Sequence, residues 1–138
     1  MIKLAIFKGK SFIHFRTMSN YLRLRNYGSR EDAPKAEKNT CFVNTSLQLM
    51  NSIPDCRKYF VEKRYKTQDS QQLPICDQIS AIFRTSPNVS NSAGSLRELI
   101  GGINGYGYLN DGEQQDMASF FTILLDEIDK EITAATGQ

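Results

Sequence analysis

The chain has 138 residues and a formal net charge of +2, with 40% hydrophobic and 23% charged residues. This composition excludes an intrinsically disordered chain, because it supplies enough apolar side chains for the core of one small domain. No stretch approaches the roughly 20 apolar residues of a transmembrane helix, so we expect a soluble protein.

The N-terminal region is strongly basic. Residues 1–30 contain seven lysines and arginines, and the first acidic residue is Glu31. Such a leader is compatible with nucleic-acid or membrane contact, with a cleavable mitochondrial presequence and with a poorly ordered terminus. Residues 2–17 are typical of either a short strand pair or a basic amphipathic segment, and the sequence does not separate the two.

A polar segment follows the leader. Residues 29–38 hold no large apolar side chain, which predicts a solvated loop. We therefore divide the chain into three parts. Residues 1–38 form a partly disordered leader that includes this loop, residues 39–132 form a helical domain, and residues 133–138 form a tail.

Apolar periodicity predicts helices at about residues 41–53, 54–65, 73–83, 95–100 and 117–132. Pro54 separates the first two, because proline ends one helix and fits the first turn of the next. Asn39 or Thr40 is the expected N-cap of the first helix, and Ser95 that of the fourth. Five glycines within residues 101–112 predict a loop with positive-φ positions. The fold is thus expected to be mainly α.

Three cysteines, Cys41, Cys56 and Cys76, cannot all pair within one chain, and none has the close spacing of a zinc site. We expect free thiols in a reducing intracellular compartment, cytoplasmic or nuclear, and no metal or other cofactor. Cys56 and Cys76 have apolar neighbours and are expected to be buried. Cys41 instead begins a helix, where amide dipoles favour a reactive thiolate. It is the candidate nucleophile.

The residues around Cys41, NTCFVNTSLQLM at 39–50, resemble the cysteine box of the ubiquitin-specific protease (ubiquitin carboxyl-terminal hydrolase) family of papain-like cysteine peptidases. The family pattern is Asn-Thr-Cys, an aromatic residue, an apolar residue, Asn, a small residue, one variable position, Leu and Gln. Its constrained places are filled by Asn39, Thr40, Cys41, Phe42, Val43, Asn44, Thr45, Leu47 and Gln48. The resemblance implies that Cys41 is the nucleophile of a thiol-dependent deubiquitinase.

A second block, GEQQDMASFFTILLDEI at 112–128, resembles the Gln-Gln-Asp box of the same family. In that family the acidic residue lies near the path of the basic C-terminal tail of ubiquitin. The resemblance therefore gives Gln115 and Asp116 a role in binding the ubiquitin tail. The alternative for Asp116 is an ordinary first-turn acid that the helix dipole favours.

The two blocks together cover about residues 22–131 and imply the helical thumb subdomain of a papain-like α+β cysteine protease. An irregular or short-stranded segment is expected before it. The chain resembles a truncated domain, because the palm that follows the thumb in the family is missing. Ubiquitin or ubiquitylated proteins are the implied partners, without nucleic acid or membrane, and self-association through the apolar thumb surface is a further expectation.

The cysteine box departs from the family in one place. In the family pattern an Asn, one variable residue and a Gly come directly before Asn-Thr-Cys, and that upstream Asn helps to form the oxyanion hole. Here Lys38 precedes Asn39, and the missing half stands upstream at 26–28, so residues 29–38 interrupt the motif as an insertion. Either the insertion bulges out and Asn26 still reaches the site, or catalysis is impaired, or the insertion is a gene-prediction artefact.

The second departure concerns the general base. A cysteine protease needs an imidazole to accept the thiol proton and a further group to orient it. The only histidine is His14, whereas in the family the catalytic histidine follows the cysteine by a long interval. His14 is not the expected base. The alternative function is therefore a catalytically inactive ubiquitin- or partner-binding thumb, or a truncated product without the histidine box.

Overall fold

The structure, a computed structural model, describes residues 21–67, 72–86 and 88–136. The predictions for residues 2–17 and for His14 lie outside these ranges. The α-helices are Cys41–Ser52 (α1), Pro54–Val61 (α2), Pro74–Phe83 (α3), Gly94–Gly101 (α4) and Met117–Thr136 (α5), with 3-10 helices at Lys35–Glu37 and Gly107–Asp111. The described ranges contain no strand, only an isolated parallel bridge between Leu24 and Asn91. The predicted mainly α fold class is confirmed.

Pro54 divides the first two helices as predicted, and it occupies the first turn of α2, where its missing N–H is not needed. The prediction that α2 continues through Tyr65 was wrong. The helix ends at Val61, and Lys63 follows in the left-handed conformation with φ of 53°. This turn brings Tyr65 back into the core, where its hydroxyl donates to the Asp77 carboxylate at 2.7 Å.

Two of the predicted N-caps do not cap their helices. Thr40 precedes α1, but its hydroxyl donates to the carbonyl of Arg25 at 2.9 Å and accepts no hydrogen bond from a backbone N–H of the helix. Ser95 lies inside α4, and Ala93 stands at the cap position with no side-chain hydrogen bond. Hydroxyl side chains also bond backbone groups outside helices, and the sequence pattern does not show which use prevails.

α1 and α5 pack against each other in the core. The rings of Phe42 and Phe120 meet edge to face, with their centroids 5.1 Å apart. Phe60 of α2 meets Phe83 of α3 in the same manner at 5.9 Å. Burying each such ring stabilises the fold by roughly 1.5–3 kcal/mol. Because Phe42 belongs to the first turn of α1, the core anchors the helix at the end that carries Cys41.

Glu131 of α5 caps α3 from another part of the chain. Its carboxylate accepts hydrogen bonds from the backbone N–H groups of Ile75 and Cys76, at 2.9 and 2.8 Å. These groups belong to the first turn of α3, where N–H groups have no partner within the helix. α3 and α5 are therefore joined by polar contacts as well as by the apolar core.

The connection between α4 and α5 contains the predicted positive-φ glycines. Gly105 has φ of 99° and Gly112 has φ of 79°, a conformation that glycine adopts without a steric penalty. α5 then continues to Thr136, inside the segment expected to be a tail. None of the helices in the described ranges combines the length and apolarity that crossing a membrane requires.

Candidate active site

Cys41 is the first residue of α1 and is exposed to solvent. The other two thiols are buried, and that burial raises the pKa of Cys56 to about 12 and raises the pKa of Cys76 as well. A buried, protonated thiol is a poor nucleophile. Cys41 is thus the thiol that a substrate can reach.

Polar side chains on one face of α1 hold the extended segment that precedes the insertion. Thr40 and Asn44 both donate to the carbonyl of Arg25, at 2.9 and 3.1 Å. One turn further on, Gln48 accepts from the N–H of Leu22 at 3.3 Å and donates to the carbonyl of the same residue. Side chains four residues apart share a helix face, so the segment is bound along the helix. Its next residue is Asn26.

Asn26 lies at the N-terminus of α1. Its side-chain oxygen accepts hydrogen bonds from the backbone N–H of Gly28 at 2.9 Å and of Thr40 at 3.3 Å. Because both partners are donors, they identify the side-chain atom that they contact as the amide oxygen. The NH₂ group of Asn26 donates to none of the described residues. A free donor is thereby held beside Thr40, the residue before Cys41.

The insertion leaves and rejoins the domain at one place. The N–H of Asn39 donates to the carbonyl of Gly28 at 2.9 Å, and the N–H of Tyr27 donates to the carbonyl of Glu37 at 3.2 Å. Residues 29–38 between these bonds form turns and a short 3-10 helix, and most of them are exposed or half-buried. The two halves of the split motif are therefore side by side in space, although they are separated in sequence.

The second box meets the first through Asn39. Its side-chain amide donates to the carbonyl of Gly112 at 2.9 Å, at the start of the Gln-Gln-Asp segment. Asp116 then caps α5, since its carboxylate accepts from the N–H and the hydroxyl of Ser119, both at 2.8 Å. These bonds hold the pKa of Asp116 below its usual value. Gln115 is half-buried beside it.

Arg97 is a residue of this site that the sequence did not reveal. It is fully buried in α4, and its guanidinium donates to the carbonyls of Leu109 at 2.6 Å, Glu113 at 3.1 Å and Lys38. The same group lies 5.0 Å from the centre of the Phe42 ring, within the range of a cation–π contact. An arginine on a short amphipathic helix looks like an ordinary surface residue, so no sequence signal marks it.

The site brings together an exposed thiol at a helix N-terminus and a carboxamide donor beside it. An exposed thiol can act as a nucleophile, and a carboxamide N–H can donate to a developing oxyanion. The described residues include no histidine, because His14 is the only one in the chain. Nor do they include a cluster of three side chains arranged to hold a metal ion.

Comparison with known proteins points in one direction. The family model described as "Ubiquitin carboxyl-terminal hydrolase" matches residues 34–137. The curated protein "Ubiquitin carboxyl-terminal hydrolase 12" of Saccharomyces cerevisiae is 26% identical over 111 residues. That similarity covers 68% of this chain and 8% of the yeast protein, so the chain spans a small part of the length of its relative.

Proposed function

Because the chain belongs to the ubiquitin carboxyl-terminal hydrolase family, we propose that it is the nucleophile-bearing thumb of a thiol-dependent deubiquitinase. Cys41 attacks the carbonyl carbon of the terminal glycine of ubiquitin, and the amide NH₂ of Asn26 donates to the oxyanion. The observation that supports this proposal is the 3.3 Å hydrogen bond from the backbone N–H of Thr40 to the side-chain oxygen of Asn26, which links Asn26 across the insertion to the residue before Cys41.

The reaction proceeds by acyl transfer. The thiolate sulfur of Cys41 bonds to the carbonyl carbon, and the carbonyl electrons move to the oxygen, which Asn26 stabilises. The C–N bond then breaks, the substrate amine leaves with a proton, and ubiquitin remains as a thioester on Cys41. Water hydrolyses the thioester and regenerates the thiol. Proton transfer in these steps requires a general base, and the resemblance to the family implies a histidine in that role.

Gln115 and Asp116 are the proposed contacts for the tail of ubiquitin. Asp116 is exposed and ionised, and its capping bonds use one carboxylate oxygen, Oδ2. The other oxygen faces no donor among the described residues and can accept from a basic side chain of the substrate. The tail would then pass the start of α5 and end at Cys41, because Asn39 links the two boxes.

Labelling by an electrophilic ubiquitin tests the proposal. The purified chain is incubated with ubiquitin whose terminal glycine carries a thiol-reactive group, and with the same group on free glycine. We expect ubiquitin to accelerate labelling, and Cys41→Ala to abolish it. Equal rates for the two reagents, or adducts on Cys56 or Cys76 alone, would contradict the proposal.

A catalytically inactive ubiquitin- or partner-binding thumb is the second candidate function. It is favoured by the lack of any histidine among the described residues. Titration of Cys41→Ala with unmodified ubiquitin distinguishes the two, when it is combined with the labelling test. Binding without ubiquitin-accelerated labelling of the unaltered chain identifies the inactive module, whereas acceleration identifies the enzyme fragment.

We also propose that the protein works in a reducing compartment, cytoplasmic or nuclear. The three free cysteines support this proposal.

We further propose that the protein self-associates through exposed apolar surface of the thumb. The exposed large hydrophobic residues in the described ranges are Tyr21, Leu49, Val89 and Tyr108. Sedimentation at increasing concentration tests this proposal, and a monomer at every concentration would contradict it.

A further inference from the structure

Arg97 is a buried cation with an unusual set of partners. Its side chain is fully buried, yet the acceptors that hydrogen-bond to it among the described residues are backbone carbonyls, not carboxylates. Burying a charge is unfavourable unless its donors are satisfied. If the position on α4 only had to fill space, leucine would fill it without the cost of burying a charge. The carbonyls to which Arg97 donates therefore indicate its structural role.

Those carbonyls belong to the two functional loops. Lys38 directly precedes the Asn-Thr-Cys segment, while Leu109 and Glu113 lie on either side of Gly112 before the Gln-Gln-Asp segment. Asn39 joins the same two loops through its bond to the carbonyl of Gly112 at 2.9 Å. Arg97 and Asn39 thus connect the loop of the nucleophile with the loop of the proposed ubiquitin-tail contacts. We call this pair the clasp.

The electrostatic environment of Arg97 agrees with this location. Burial lowers the pKa of Arg97, and the negative charge of Asp111 acts in the opposite direction. Asp111 closes the 3-10 helix in the loop that leads to the Gln-Gln-Asp segment.

We propose that Arg97 and Asn39 are positioning residues, which hold Cys41 at a fixed place relative to Gln115 and Asp116. A ubiquitin tail that is bound by Gln115 and Asp116 then reaches Cys41. The catalytic use of the clasp rests on the proposed function. The existence of a connection between the two loops does not. The clasp is a property of the chain alone, and it is measurable without ubiquitin.

Variants separate the clasp from general stability. Arg97→Lys keeps the charge but loses the planar fork, and Arg97→Met keeps the length without the charge. Asn39→Gly removes the bond to Gly112, and glycine accepts the positive φ of 49° at that position. Glu131→Gln is the stability control, because the carboxylate of Glu131 accepts its hydrogen bonds from the first turn of α3 and not from either loop.

Hydrogen exchange measures the clasp directly. At a temperature where circular dichroism shows each variant folded, we expect Arg97→Lys and Asn39→Gly to increase amide exchange in residues 39–41 and 109–116 together. In the control, Glu131→Gln, amide exchange in these two segments should increase no more than its overall loss of stability explains. An increase confined to α4, or to one of the two loops, would overturn the inference. Because Asn39→Gly leaves Arg97 in place, the test stands even if Arg97→Met does not fold.

The ratio of ubiquitin-linked to glycine-linked labelling at Cys41 tests the purpose of the clasp. Displacing a reacting group by about 1 Å can cost roughly 100-fold in rate, so we expect the ratio to fall by up to that factor. The ratio should fall furthest in Arg97→Met, less in Arg97→Lys, and not at all in Glu131→Gln. An unchanged ratio in folded Arg97 variants would overturn the positioning role. If the unaltered chain shows no ubiquitin preference, the proposed function fails, and hydrogen exchange still decides whether the clasp exists.

Discussion

The backbone N–H of Asn39 donates a 2.9 Å hydrogen bond to the carbonyl of Gly28, which joins the two ends of the insertion. Both residues have positive φ, 56° at Gly28 and 49° at Asn39, so the chain leaves and returns at the same point. Of the interpretations that the sequence left open, the bulged insertion with Asn26 beside α1 agrees with this geometry.

Deleting residues 29–38 should therefore preserve the fold. The deletion joins Gly28 to Asn39, and the Gly28 carbonyl can then replace that of Lys38 as an acceptor for Arg97. The lost Arg25–Glu37 ion pair, at 3.1 Å, is partly exposed and contributes about 0–1 kcal/mol. We expect cooperative thermal unfolding within a few degrees of the unaltered chain. A molten or aggregated product would show that the insertion is structurally required.

Asn26 variants test the oxyanion donor. Asn26→Asp keeps an oxygen to accept from Gly28 and Thr40 but removes the NH₂ donor, while Asn26→Ala removes both. Loss of an oxyanion donor costs about 100- to 1000-fold in rate, so both variants should acylate that much more slowly with a ubiquitin C-terminal ester. Mass spectrometry of the thioester at Cys41 measures the rate. Unchanged acylation in either folded variant would exclude this role.

The three thiols should react at very different rates. Cys41 is exposed, whereas Cys56 and Cys76 are 3% and 0% exposed. Burial raises the pKa of Cys56 to about 12, so little thiolate is present there at neutral pH. Iodoacetamide should modify one thiol per native chain and three after denaturation. Peptide mapping identifies the modified residue, and fast modification of all three in the native chain would contradict the structure.

The sequence predicted those features that depend on local patterns. Apolar periodicity located the helices, and Pro54 located the boundary between α1 and α2. The end of α2 was missed, because the left-handed turn at Lys63 is made by a residue with no special preference for it. The use of Thr40 was also missed, since its partner Arg25 is brought near by the fold and not by the sequence.

The candidate site divides in the same way. Cys41 and Asp116 stand in recognisable motifs, and each lies at the start of a helix. The position of Asn26 depends on hydrogen bonds across the insertion, and a linear motif does not contain them. Arg97 lies outside both motifs. The positioning role proposed for it rests on hydrogen bonds to three carbonyls that are distant in sequence, so only the structure could suggest it.

Glu131 should contribute to stability through its cap on α3. Glu131→Ala leaves the N–H groups of Ile75 and Cys76 without their carboxylate partner. Hydrogen bonds to a charged group are worth about 1.5–3 kcal/mol, and partial exposure of Glu131 reduces this, so we expect a loss of about 1–2 kcal/mol. Urea denaturation measures it. Glu131→Gln, which keeps one acceptor oxygen, should lose less, and equal losses would contradict a capping role.

The stability that Asp116 provides should depend on pH in a defined direction. The N–H and the hydroxyl of Ser119 lower the pKa of Asp116 below its usual value of 3.8, because they stabilise the carboxylate. A lowered folded-state pKa means that the contribution is complete above the unfolded pKa and is lost as the pH falls through the folded one. Asp116→Ala should therefore lower the melting temperature at pH 7, and its difference from the unaltered chain should shrink below about pH 4. Asp116→Asn retains a capping side chain without the charge and should melt between the two at pH 7. A difference that stays constant down to pH 2.5 would show that Ser119 does not stabilise the ionised carboxylate.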